Sequence, residues 1–80
     1  MTEQEVFERI QRVLEKDFRV PPQRVAREAT FRGTLGLDSL DAVDLIYLVC
    51  VEFELKPTVE SFTELSTVGQ VVDHILQVKL

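Results

Sequence analysis

The segment from Ser39 to Glu54 limits the folds open to this chain more than any other. At about 100° per residue, Leu45, Ile46, Val49 and Phe53 cluster within about 100° and make the stripe of a core-facing helix. Leu40, Val43, Tyr47, Cys50 and Val51 form a second stripe on roughly the opposite side. A helix apolar almost all round is normally central in a large protein or a membrane span. This chain has only 80 residues, and a domain of that size buries only about 60% of the surface its unfolded chain exposes. Its longest uncharged apolar run, Leu45 to Val51, is far short of the roughly 20 residues that span a bilayer. Two readings of the second stripe stay open: the long loop wraps across it, or it is an exposed patch meant for a partner. Asp41, Asp44 and Glu52 line one shoulder of the stripe and Glu54 sits near its end. A partner would then present an apolar groove with a basic rim.

The rest of the chain supplies two more helices. Thr2 with Glu5 forms a capping box, and Val6, Phe7, Ile10, Val13, Leu14 and Phe18 then repeat at helical spacing until Pro21 and Pro22. Thr67 with Gln70 forms a second box, followed by the stripe Val68, Val71, Val72, Ile75 and Val78. Pro57 to Glu64 holds one short helical turn at most, with Phe62 and Leu65 as core contacts. No segment alternates as a strand would. The expected fold is all-α, a small four-helix bundle in one domain over residues 1–80, with three main helices and a short third. A long loop, Arg19 to Leu37, joins the first two; it has four arginines, Gly33 and Gly36, and little apolar content beyond Val25, Phe31 and Leu35. Loops of this length are usually functional or disordered.

Composition narrows the function classes. With 45% hydrophobic and 29% charged residues the chain is neither a disordered tail nor a membrane protein. Its net charge of -5 argues against nucleic acid or an anionic membrane as partner and for a basic one. That acidity belongs to residues 33–80, since residues 1–32 are nearly balanced. The single cysteine, Cys50, makes neither an intramolecular disulfide nor a zinc site, which fits a reducing compartment, and no metal is expected. No secretory signal opens the chain, so a cytoplasmic address is expected.

Upstream of the apolar helix lies Gly36-Leu37-Asp38-Ser39-Leu40-Asp41. Asp38 is a natural N-cap, which puts Ser39 at the first helical position with its side chain outward. An oxygen there faces the positive end of the helix dipole and free backbone donors, a setting that suits a covalently attached phosphate. Gly36 lets the chain turn sharply into the helix. On physical grounds alone, Ser39 serves either as a simple helix-start residue or as a modified serine.

Leu35-Gly36-Leu37-Asp38-Ser39-Leu40-Asp41-Ala42-Val43-Asp44-Leu45 resembles the phosphopantetheine attachment motif of acyl carrier proteins. The resemblance extends to Phe53 at the end of the second helix, to Pro57, and to Ser66-Thr67-Val68-Gly69 with Val71, Val72 and Ile75, so it covers essentially the whole chain. It implies that Ser39 accepts 4′-phosphopantetheine from coenzyme A through a separate Mg²⁺-dependent phosphopantetheinyl transferase. The arm's thiol would carry acyl thioesters for fatty-acid, lipid or polyketide-type biosynthesis, and the protein itself would catalyse nothing. Counterparts of Asp38, Leu40, Asp41, Val43, Asp44 and Tyr47 contact partner enzymes in the family; Cys50 and Val51 join them here by their place on the second stripe. Counterparts of Leu45, Ile46, Val49 and Phe53 help line an acyl pocket, to which spacing and apolarity add Phe62, Leu65, Val71 and Ile75. The protein is expected to be a monomer.

The chain departs from the family where Cys50-Val51-Glu52 replaces a run of glutamates, and where Thr34, Thr58 and Val59 stand at commonly acidic positions. These changes shift docking toward hydrophobic contact and suggest a specialised member. Gly36 to Leu40 superficially resembles the motif of Gly-Asp-Ser-Leu hydrolases, but Leu37 is inserted and Val71 stands where that family's partner acid belongs. His74, beside Asp73, is expected to be solvated. The remaining alternatives are a peptidyl or aryl carrier, which shares the fold and serine, and an interaction module that is never modified.

Overall fold

The computed structural model describes residues 1–55 and 65–79, and local chemistry sets the helix ends within them. The Thr2 hydroxyl accepts the Glu5 N–H at 3.1 Å and donates to the Glu5 carboxylate at 3.2 Å, which starts α1 (Glu3–Phe18). This helix ends before the proline pair: Arg19 turns to φ 56 and the Val20 N–H donates back to the Leu14 carbonyl at 3.1 Å, as in a Schellman end. Asp38 caps α2 (Ser39–Glu52), accepting the Asp41 N–H at 2.8 Å. Before α3 (Val68–Lys79) the capping box is complete. The Gln70 N–H donates to the Thr67 hydroxyl at 3.2 Å, and the Gln70 amide oxygen accepts the Thr67 N–H at 3.1 Å.

Among the described residues the regular elements are all helical, as expected. α2 stops two residues earlier than its apolar pattern suggested, because Glu54 adopts a left-handed φ of 56. The short helical turn and the Phe62 contact expected within 57–64 lie outside the described residues. α1 packs against both α2 and α3. Its Val6, Ile10, Val13 and Leu14 share one buried cluster with Leu45, Val49 and Phe53 and with Val68, Val71, Val72 and Ile75.

The long loop differs from its sequence expectation. Besides Val25, Phe31 and Leu35, it buries Val20, Ala29 and Leu37, and it contains a 3-10 turn at Pro22–Arg24. It is a packed part of the core. Backbone bonds to the start of α3 hold it: the Phe31 N–H donates to Ser66 O at 3.1 Å, Val68 N–H to Ala29 O at 3.0 Å and Gly69 N–H to Arg27 O at 2.8 Å. These bonds satisfy two of the donors that a helix start leaves unpaired, and Thr30 and Thr67 form an isolated antiparallel bridge between them. Glycine suits this close approach, since a Cβ at position 69 would lie 3.0 Å from the Arg27 carbonyl oxygen. Arg27 adds ion pairs to Glu3 of α1 and to Asp73 of α3, the latter at 3.0 Å. The hydrogen bond to Asp73 is the main cause that raises the Arg27 pKa.

Candidate functional site

Ser39 is placed by the last turn of that loop. Leu35 and Leu37 are buried anchors, the Leu35 N–H donates to Thr30 O at 3.0 Å, and the Leu37 N–H donates to Phe31 O at 2.9 Å. Between them Gly36 takes a φ of +69, the left-handed conformation that favours glycine. The chain then reaches Asp38 in extended backbone, and Ser39 follows as the exposed first residue of α2. Its hydroxyl therefore stands in solvent at the positive end of a 14-residue helix.

Ser39 also borders a cavity of about 460 Å³. Of the residues expected to line an acyl pocket, Leu45, Ile46, Val49, Leu65 and Val71 do line it. Phe53 and Ile75 do not: both are buried in the core, 1% and 0% exposed, and the described lining does not include them. The reason is axial distance. The cavity follows α2 from Ser39 to Val49, whereas Phe53 caps the far end of that helix and Ile75 lies a full turn beyond Val71 on α3. Phe62 lies outside the described residues. Sequence reasoning missed Ile10, Thr30, Phe31, Arg32, Ala42, Val43 and Ser66 as lining residues. Ala42 was detectable as one helical turn beyond Ser39. The loop residues carried no periodic signal that could have found them. His74 is half-buried on α3 and does not line the cavity with Ser39.

The second stripe of α2 divides, and its Val43 also borders the cavity. Leu40, Val43, Tyr47 and Val51 are 78%, 47%, 57% and 59% exposed, and they succeed one another along one helix face. The loop does not wrap across them. Cys50 is a correction to the sequence reading: it is 0% exposed and belongs to the core. Around the helix it stands about 40° from Ile46 and about 60° from Phe53, on the flank of the core stripe. The expected replacement of partner-facing charge by apolar atoms therefore rests on Val51 alone. Glu52 also leaves the expected shoulder. Its carboxylate accepts from Arg9 Nε at 2.7 Å, Arg9 donates to the Glu52 carbonyl at 2.7 Å, and the guanidinium lies 4.5 Å over the Phe53 ring. Asp38 and Asp44 stay exposed beside the strip, with Asp41 half-buried.

Residues 8–75 match a family model described as a phosphopantetheine attachment site. The chain is similar to an acyl carrier protein of Cyanidioschyzon merolae, 34% identical over 79 residues, which are 99% of this chain and 87% of that protein. It is also 34% identical to an acyl carrier protein of Guillardia theta, over 96% of this chain and 95% of the other. One from Saccharopolyspora erythraea is 34% identical over 95% of this chain and 80% of its own length.

Proposed function

The chain belongs to the acyl carrier protein family, whose members carry phosphopantetheine, and on that premise we propose that Ser39 is the residue that holds it. One observation supports this above all: Ser39 is both fully capped into a helix start and exposed at the edge of a largely apolar cavity. The site suits the group. The hydroxyl is open to a transferase, the α2 dipole favours an anion on it, and the adjoining cavity can take an apolar chain. When bound, the group supplies a thiol that holds acyl cargo as a thioester.

In loading, Ser39 Oγ forms the new bond to phosphorus as the pyrophosphate link of coenzyme A breaks, adenosine 3′,5′-bisphosphate departs with the other phosphate, and the serine proton leaves to the transferase or to water. Leu45, Ile46, Val49, Leu65 and Val71 then exclude water from the apolar cargo. Asp38, Leu40, Asp41, Val43, Asp44, Tyr47 and Val51 are the docking surface for the transferase and for the acyl-loading and acyl-processing enzymes of a fatty-acid, lipid or polyketide-type biosynthesis. The family is one of carriers, and this chain, a single domain working as a monomer, catalyses no step itself. No helix among the described residues is long and apolar enough to cross a membrane, and the acidic surface suits work in the cytoplasm.

The test is intact mass after incubation with coenzyme A, Mg²⁺ and a broad-specificity transferase. The wild type is expected to gain one phosphopantetheine, and Ser39→Ala to gain none while melting as the wild type does. A gain that persists in Ser39→Ala would exclude Ser39 as the attachment residue.

A further inference from the structure

We infer that Arg32 is a positioning residue for the arm: its guanidinium pairs with the phosphodiester on Ser39 and holds the arm along the opening of the cavity. The inference rests on the assignment of Ser39 as the attachment residue. Arg32 is the one charged side chain among the described residues that line the cavity. Of the three hydroxyls in that lining, two are engaged: Thr30 Oγ1 accepts the Thr34 N–H at 3.0 Å, and Ser66 Oγ donates to Gln70 at 3.2 Å. Ser39 is the third. Arg9 and Arg27 are spent on Glu52, Glu3 and Asp73. Arg32, exposed, makes no ion pair among the described residues.

Arg32 and Ser39 line the same cavity, and the backbone links their positions. Phe31 is buried, its N–H is fixed to Ser66, and its carbonyl accepts the Leu37 N–H two residues before Ser39. The bond that aims Ser39 thus also anchors the residue next to Arg32. Electrostatics favours the same pairing. A phosphodiester on Ser39 stands beside Asp38 and Asp41, and a cation on the cavity rim offsets that like-charge repulsion. A guanidinium also offers two parallel donors to two phosphate oxygens, which fixes direction as well as distance. Because the pair is exposed it is weak, so it biases the arm toward the cavity and still lets a partner enzyme draw the cargo out.

The anion could in principle arrive instead as a carboxylate on the cargo, and the experiment separates the two sources. On the full-length ¹⁵N-labelled protein, the Arg32 Nε–H resonance is followed in four forms: unmodified, phosphopantetheinylated, octanoyl-loaded and succinyl-loaded. It is expected to shift on phosphopantetheinylation and to shift little further with either cargo. Arg32→Gln should still gain the full mass, yet its octanoyl thioester should react with hydroxylamine about 1.4- to fivefold faster, the range an exposed ion pair confers. Arg32→Lys should recover part of that protection. An Arg32 resonance that is unmoved on phosphopantetheinylation, or moves only with succinyl cargo, would overturn the inference while leaving Ser39 in place. No mass gain in the wild type would overturn both.

Discussion

Cys50 and Val51 are adjacent in sequence, yet the first is 0% exposed and the second 59%. One step around a helix is about 100°, enough to pass from core to solvent, so two apolar neighbours on a helix that is apolar on both sides cannot be sorted by pattern alone. Substitution sorts them. Cys50→Glu puts a carboxylate where there is no water, and is expected to cost about 3 kcal/mol or more, enough to unfold much of so small a domain. Val51→Glu, on the open strip, should change stability by no more than about 0.5 kcal/mol. Urea melts of the two variants decide the matter, and equal midpoints would show that Cys50 is not a core residue. The placement of Ser39 at an exposed helix start, by contrast, was legible at this scale because its cues are local. An aspartate cap, a glycine turn and the first helical residue lie within a few positions, and the structure forms both the Asp38 cap and the Gly36 turn.

The helices were legible for a similar reason. Capping boxes at Thr2 and Thr67 and a 3.6-residue apolar repeat are properties of single segments, and α1 and α3 begin where those signals put them. The loop was not legible. Val20, Val25, Ala29, Phe31, Leu35 and Leu37 are buried by separate turns and by bonds to the start of α3, so no period connects them. The junction of α1 with the end of α2 was equally hidden, since it joins residues 43 positions apart. There Arg9 donates to both the side chain and the carbonyl of Glu52 and covers Phe53. The side chains are 32% and 37% exposed, so solvent screens much of the pair. A double-mutant cycle of Arg9→Ala and Glu52→Ala is expected to give a coupling of about 0.5–1 kcal/mol. Arg9→Ala alone should cost more than Glu52→Ala alone, because it also loses the carbonyl bond and the ring contact. Single-variant effects that simply add would remove the clamp from the account of how α2 ends.

At the scale of the whole molecule, α1 packs against α2 and α3 together, and the space left beside α2 is the cavity that Ser39 borders. A domain this small has little stability to spare, and the apolar lining of a cavity open to water lacks the stabilisation that burial gives. Apolar cargo that enters should therefore stabilise the fold, by up to about 0.8 kcal/mol for each methylene it removes from water. The melting temperature of acyl-loaded protein is expected to rise with chain length, by about 4–8 °C per kcal/mol gained, and to level off once the cavity is full. Ile46→Phe adds bulk to the wall nearest the apolar interior of α2, so in that variant the rise should level off at a shorter chain. The phosphopantetheinylated form without cargo serves as the reference, which removes any effect of the arm itself. Melting temperatures that ignore chain length would mean that cargo stays outside the bundle. A plateau unmoved by Ile46→Phe would mean that it is sheltered elsewhere than along α2.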